Sequence, residues 1–492
     1  MKKGFDNEKY VKLQSEQIQK RMKMFDKLYL EFGGKLVDDH HAVRVLPGFE
    51  LNSKIRCLEE LKDDAEVIFC INANDIEKNK IRADYGTTYD TEILRLIDLL
   101  KALEIEVNSV VITLYKGQMG ADSFRKKLER RNIKTYIHTA TKGYPTDIDV
   151  IVSEEGYGAN PYIETTKPLV VVTAPGPSSG KLATCLSQLY HEHKRGVKAG
   201  YAKFETFPVW DLPLKHPVNM AYEAATADLK DVNMIDSFHL EHYNISAVSY
   251  NRDLKVFPIL KTILSRITKD EIYHSPTDMG VNMIGNCIID DKTIQTAACD
   301  EIIRRYYRAM CDYKIGTIDE ETPQKVKVLM NELGVSDENR KVIKAALKKK
   351  ELVNRHVLSL KLPNGKIITG KQTDLLSPAS SLILNAIKEL TKIPDEVYLL
   401  SPSILEPILK TKPKSDNPQN YLLNLQEVII ALSICSATNP IIEKALNNLS
   451  KLHKCEAHAT YIVQNGDLNI LRNLEINLTC EPEFYSNNLY NE

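Results

Sequence analysis

Pro168-Leu-Val-Val-Val-Thr173, then Ala174-Pro-Gly-Pro-Ser-Ser-Gly-Lys181, then the helix-patterned Leu182–Arg195, is the stretch whose reading decides the fold. A short unbroken run of β-branched residues reads as a strand buried on both faces. Such strands belong to parallel sheets covered by helices. A Gly/Pro/Ser loop running into Gly-Lys and a helix is the context of a phosphate-binding loop. Glycines let the backbone wrap so that N–H groups converge, and the helix N-terminus adds positive potential. Gly176, Pro177, Ser178, Ser179, Gly180 and Lys181 are therefore the expected binding residues. Lys181 is expected to reach the phosphates, and Ser178 and Ser179 to add hydroxyls.

The match departs from the P-loop pattern G-x-x-x-x-G-K-[ST] in two places. The first glycine falls one residue late, at Gly176, and Leu182 stands where a hydroxyl would face Mg²⁺. Thr184 cannot simply replace it, because two residues along a helix points to another face. The same stretch also reads as an ordinary strand-to-helix turn. A second Gly-Lys, Gly365-Lys-Ile-Ile-Thr-Gly370-Lys371, has better spacing but the wrong context. Its first glycine ends the hairpin signal Pro363-Asn364-Gly365, and Ile367–Thr369 reads as a strand.

Working outward, the spacing predicts strands over Glu66–Ile71, Asn108–Leu114, Lys134–Thr139 and Asp149–Ser153. Helices are expected over Asp90–Leu103, Ala121–Arg131 and Gly180–Arg195. Residues up to about Leu30 read as one helix, ended by Gly33-Gly34. Gly200–Pro217 carries too many prolines for a central strand and reads as an irregular or edge segment. The chain from 222 to 330 reads as mainly helical, broken by the loop Tyr273–Asn282, and Lys341–Lys350 as a solvated linker helix. The pattern restarts after Leu352 with the Asn-Gly hairpin. The expected fold is α/β. Residues 1–340 form a parallel-sheet, Rossmann/P-loop-like region with a helical extension over about 222–340, and residues 351–492 form a smaller α/β domain.

Ligands of parallel sheets collect at the carboxyl ends of the strands. Glu154, expected just past a strand end, is the candidate carboxylate for Mg²⁺, against the plainer reading of a solvated acidic loop. Gly33–Arg44 packs Asp38, Asp39, His40 and His41 together. His40 is a candidate acid–base group, against the alternative of a capped turn. Asp278, in the polar loop Tyr273–Gly280, is a third candidate, with Asp-mediated turn geometry as its alternative. The spacings His191-Glu-His193 and His239-Leu-Glu-His242 lack the i, i+4 geometry of a zincin helix.

Composition narrows the class. Across 492 residues, 65 Lys and Arg stand against 66 Asp and Glu, so the chain lacks the basic charge on which nonspecific nucleic-acid binding relies. Nine cysteines with no C-x-x-C pair give no sign of zinc ligation and fit a reducing cytoplasm. The first twenty residues show no signal peptide, and no apolar run reaches the roughly 20 residues of a membrane span.

The strings EFGGKLVDDHHAVRVLPGFE (31–50), NPYIETTKPLVVVTAPGPSSGKLATCLSQLYHEHKRGVKAGYAKFETFPVWDLPLKHPVN (160–219) and SPTDMGVNM (275–283) resemble a family of bacterial proteins of unknown function, the one numbered eighteen forty-six. The resemblance runs from about Gly4 to the C-terminus. It implies a cytoplasmic bacterial protein with an N-terminal α/β portion and a smaller C-terminal domain, and it carries no reaction and no site residues.

Three functions are open at this level. The first is an enzyme binding ATP or another phosphorylated small molecule at Gly176–Lys181, with Mg²⁺ bridging the phosphates. Its acceptor would lie between the Asp38–Arg44 loop, the Lys203–His216 segment and the Asp278 loop. The second is an enzyme acting on a phosphorylated metabolite without ATP. The third is a non-enzymatic oligomeric binding protein; a homo-oligomer is expected in any case.

Overall fold

In the computed structural model, which describes residues 2–82, 86–411 and 422–486, the chain divides into two compact units, Met1–Ala298 and Cys299–Glu492. Residues 299–340, read as an extension of the N-terminal part, group with the C-terminal unit.

The first unit is built on a seven-stranded sheet in which every neighbouring pair is parallel. Its main elements are α1 (Asn7–Met22), β1 (Lys27–Phe32), α2 (His40–Val45), β2 (Ala65–Asn72), α3 (Tyr89–Ala102), β3 (Glu106–Thr113), α4 (Met119–Glu129), β4 (Lys134–Ile137), α5 (Ile148–Ile151), β5 (Leu169–Thr173), α6 (Lys181–Lys194), β6 (Ala199–Phe204), α7 (Asn251–Thr268), α8 (Pro276–Met279) and β7 (Gly280–Val281). The strand order is β7-β6-β1-β5-β2-β3-β4. The chain passes from β1 outward to β4, returns to insert β5 beside β1, and then crosses to β6 and β7 on the other side. This reversal makes the carboxyl ends of β1 and β5 a switch point, where open α/β sheets bind ligands.

Three expectations change. Residues up to Leu30 are not one helix: α1 ends at Met22 and β1 runs through the middle of the sheet. In Lys-Leu-Tyr-Leu-Glu-Phe the residues alternate between the two faces, and both faces are buried. Ala199–Phe204 is likewise an internal strand, paired in parallel with both β1 and β7. Only the residues after it, including the cis Phe207–Pro208 peptide, are irregular. Asp149–Ser153 is not a strand. Asp147 caps the short helix α5 by accepting from Val150 N at 3.1 Å.

One face of the sheet presents Tyr29, Val170, Val172 and Tyr201 to Cys185, Leu186 and Leu189 of α6 and to Phe257, Leu260 and Leu264 of α7. On the opposite face Phe32 and Phe204 stack at 4.2 Å.

The second unit contains a four-stranded sheet formed by β8 (Val357–Lys361), β9 (Ile367–Lys371), β10 (Glu456–Ala459) and β11 (Asn477–Cys480), in the order β9-β8-β10-β11. β8 and β9 form the hairpin expected at Asn364-Gly365, and Gly365 takes φ +88°, which favours glycine. Gly370 lies within β9, where a Cβ would come 2.1 Å from the main chain of Leu382, so the second Gly-Lys serves strand–helix packing. Lys341–Val353 is a helix but not a solvated linker. Val342, Ile343 and Ala346 are buried, and Ser359 on β8 donates to Val342 O at 2.6 Å. The apolar core of this unit joins β8 and β10 to the helices Pro378–Thr391 and Leu425–Ser436.

Candidate functional site

β5 ends at Thr173, and the next seven residues cross the carboxyl ends of the strands beside it before α6 begins. Thr113, at the end of β3, donates to Ser179 O at 2.7 Å, and Asn72, at the end of β2, donates to Ser178 O at 3.3 Å. These two bonds fix the loop. Gly180, at φ +84°, turns it into the helix, and a Cβ there would meet Thr113 at 2.9 Å.

Gly176 has a different role from the one expected. A Cβ on it would lie 2.4 Å from the Tyr89 hydroxyl, so the residue is small because it packs on the first residue of α3. Pro175 and Pro177 carry no N–H. The loop therefore offers fewer main-chain donors to an anion than a P-loop does.

The helix end itself is unpaired. Gly180 provides no side-chain cap, and Thr184 N is the first helical N–H with a main-chain acceptor, Gly180 O at 3.0 Å. Among the described residues the earlier N–H groups of the turn have no main-chain acceptor. The Ser179 hydroxyl is also without a hydrogen-bond partner among the described residues, although Ser179 is only 3% exposed. A buried hydroxyl left unpaired costs about 1–3 kcal/mol.

Lys181 folds back over the sheet. Its ammonium lies 3.8 Å from Glu31 Oε1, and both side chains are 12% exposed. Glu31 Oε2 accepts from the Tyr201 hydroxyl at 2.9 Å. Glu31 and Lys203 are register partners on adjacent parallel strands. Lys203 pairs in turn with Glu205 at 2.7 Å and with Asp253, in the first turn of α7, at 2.8 Å. Burial works against the Lys203 charge, but Asp253 and Glu205 outweigh it and hold the ammonium's pKa above its usual value. Burial raises Glu205 above the ordinary carboxylate range, with Lys203 opposing.

The sequence reaches Lys203 and Glu205 only as part of the Lys203–His216 segment and does not single out Glu31, Tyr201 or Asp253. The available signal was the two-residue alternation of Lys27–Phe32 running into Gly33-Gly34. In the sequence that alternation merges with the apparent N-terminal helix.

Other expected residues lie elsewhere. Glu154 follows a helix, accepts from the Tyr190 hydroxyl at 2.7 Å and pairs with Lys194. Those partners sit nine and thirteen residues along α6 from Lys181, about 13–20 Å at 1.5 Å per residue. Glu154 therefore cannot share a metal ion with a phosphate at the Gly-Lys loop.

Asp278 is a cap. Its Oδ2 accepts from His274 N at 2.9 Å, Ser275 N at 3.1 Å and the Tyr243 hydroxyl at 3.1 Å, completing a capping box at α8. These bonds give Oδ2 a part in holding the turn, and Oδ1 lies 3.7 Å from His239 Nδ1.

His40 opens α2 directly after its cap, Asp39, which accepts from Ala42 N at 3.1 Å. Asp39 also pairs at 2.8 Å with Lys54, whose side chain is 2% exposed. Burial opposes the Asp39 charge, but Lys54 prevails and holds the carboxyl well below its usual range. His41 meets the Phe207 and Tyr222 rings edge-on at 5.2 and 5.3 Å. Among the described residues no group of three or more His, Cys, Asp or Glu side chains is arranged to hold a metal ion. No helix among them is long and apolar enough to cross a membrane.

Fold and site together define an α/β protein with an open parallel sheet, an uncapped helix N-terminus at the switch point and a line of paired charges beside it. The chain belongs to a family of unknown function: residues 3–334 match the domain of unknown function DUF1846, N-terminal, and residues 338–490 match its C-terminal domain. It is 56% identical over 499 residues to a UPF0371 protein of Clostridium botulinum strain Eklund 17B, covering 100% of this chain and 99% of that one. A UPF0371 protein of Clostridium tetani is 55% identical with the same coverage.

Proposed function

We propose that the first unit binds a phosphorylated small molecule at the N-terminus of α6 and acts on it as an enzyme. The phosphate is held by the main-chain N–H groups from Ser178 to Ala183 and by Lys181. The observation that carries this reading is the uncapped start of α6: N–H donors without main-chain acceptors, a buried Ser179 hydroxyl without a partner, and a lysine at the first helical position. An anion there satisfies the donors and meets the positive end of the helix dipole. Lys181 leaves Glu31 to reach it, a short movement because both side chains already line one edge of the sheet.

Glu31 also favours a second reading, a Mg²⁺–nucleotide. It is a carboxylate at the end of the strand next to β5, 3.8 Å from Lys181, where a metal-bound water can be held. Leu182 speaks against it by offering no hydroxyl to the metal.

Thermal unfolding with inorganic phosphate, sugar phosphates, and ATP with and without Mg²⁺ tests the reading through mass action. A phosphorylated compound raises the melting temperature of the wild type and not of Lys181→Ala. If none raises it, or if Lys181→Ala responds equally, the site does not bind phosphate. A response that requires both ATP and Mg²⁺ favours the second reading.

A further inference from the structure

The phosphate site continues into a second half of distinct chemistry. Because Glu31 and Lys203 are register partners on adjacent strands, the Lys181–Glu31 pair stands beside the cluster of Lys203, Glu205 and Asp253. Three carboxylates stand against two ammonium groups along this edge. An acidic cluster alone is ordinary; Tyr250 makes this one unusual. Tyr250 immediately precedes α7, three residues before Asp253, and is 5% exposed. Its hydroxyl has no hydrogen-bond partner among the described residues. Tyr250 is the N-cap residue of α7, so its side chain leaves the chain at the same helix end as Asp253, and its ring stacks on Tyr222 at 5.7 Å.

Resting on the phosphate reading above, we propose that Glu31, Glu205, Asp253 and Tyr250 bind the hydroxyl groups of a phosphorylated polyhydroxy compound, a sugar phosphate, whose phosphate sits at Ser178–Ala183. An ionised carboxylate only accepts hydrogen bonds, and adjacent sugar hydroxyls are donors that can satisfy several at once. The unpaired phenol takes one more. A nucleobase is a poorer fit. It calls for an open aromatic face, and the rings nearby are spent on one another: Phe207 stacks on Tyr222 at 5.0 Å, and Tyr222 on Tyr250 at 5.7 Å.

The test measures binding of inorganic phosphate, ribose 5-phosphate, glucose 6-phosphate, fructose 6-phosphate and ATP to the full chain by calorimetry. At least one sugar phosphate is expected to bind about tenfold more tightly than inorganic phosphate. Asp253→Asn lowers the ratio of sugar-phosphate affinity to inorganic-phosphate affinity by removing that increment. Because Asp253 partners Lys203, its variant can also disturb folding, so Tyr250→Phe provides the independent check. Removing an unpaired buried hydroxyl leaves the unliganded melting temperature unchanged or higher. The sugar-phosphate affinity nevertheless drops roughly fivefold, the loss of one hydrogen bond.

The inference alone is overturned if inorganic phosphate binds through Lys181 but no sugar phosphate binds more tightly, if ATP exceeds them all, or if Tyr250→Phe leaves the increment intact. If no phosphorylated compound binds, the phosphate reading falls and this inference with it.

Discussion

Lys181 and Glu31 face each other at 3.8 Å across the carboxyl ends of β5 and β1, both largely sheltered from water. Each also has a further tie. Glu31 accepts from Tyr201 at 2.9 Å, and Lys181 begins a helix whose first turn has no side-chain cap. The lysine is thus held at the anion site by a partner that competes with the anion.

Removing that competition is predicted to tighten phosphate binding. Glu31→Gln keeps the shape and a hydrogen-bonding oxygen for Tyr201 but cancels the charge. Inorganic phosphate is expected to bind about fivefold more strongly, the order of 1 kcal/mol of a part-sheltered ion pair. Calorimetric titration reads this directly. An unchanged or weaker affinity means that Lys181 does not move between the two anions.

Gly176 is predicted to be a packing residue. Gly176→Ala places a methyl 2.4 Å from the Tyr89 hydroxyl and should cost about 1–3 kcal/mol, the usual penalty of overpacking. The penalty should largely vanish when Tyr89 is also changed to Ala. A double-mutant cycle in urea measures that coupling, and additive costs would contradict the contact.

Glu92 is a buried carboxylate that pairs with Arg82 and, at 2.9 Å, with Arg95, which reaches on to Asp38 at 3.0 Å. Glu92→Ala removes the carboxylate facing a buried guanidinium, and breaking such a pair typically costs about 3–5 kcal/mol. Chemical denaturation of the variant provides the value. The Asp38 stretch, which suggests acid–base chemistry in sequence, is on this geometry a scaffold of ion pairs behind the sheet edge.

His138, at the end of β4, is buried with its Nε2 3.2 Å from Pro161 O. Burial, only partly offset by that carbonyl, pushes its pKa down to about 4. An unfolded histidine titrates near 6.5. Between those values the unfolded chain holds the extra proton. The stabilisation is therefore complete above about pH 6.5 and is lost as pH falls toward 4, by up to roughly 3 kcal/mol. His138→Gln should flatten that part of the stability–pH curve, as melting temperatures across the range will show.

Parts of this architecture are legible in the sequence because local chemistry settles them. The apolar run at Leu169–Thr173 fits only a doubly covered strand, and Asn364-Gly365 fits only a tight turn. β1 and β6 are not, for opposite reasons. β1 alternates polar and apolar residues yet is buried on both faces, because its polar ends pair with residues far along the chain: Tyr29 with Glu192, and Glu31 with Tyr201. β6 is built around Gly200, which is small because a Cβ there would meet the Phe25 ring at 2.3 Å. The Gly-Lys loop is legible as a strand–loop–helix, but its companions are not. Glu31, Lys203, Glu205 and Asp253 are distributed over about 220 residues of sequence, and only the parallel pairing of β1 with β6 and the start of α7 bring them together. Glu154 is misplaced in sequence for the converse reason. Asp147 caps a helix where Val and Ile suggest a strand, and that helix sends the carboxylate to the far end of α6.

The most direct test of the account is a calorimetric titration of a phosphorylated compound into the wild type and into folded Lys181→Ala, the compound chosen as the one that raises the wild-type melting temperature most. The expected result is saturable binding to the wild type with one site per chain and a loss of at least tenfold in affinity in the variant, about 1.4 kcal/mol. Equal affinities in the two proteins would contradict it.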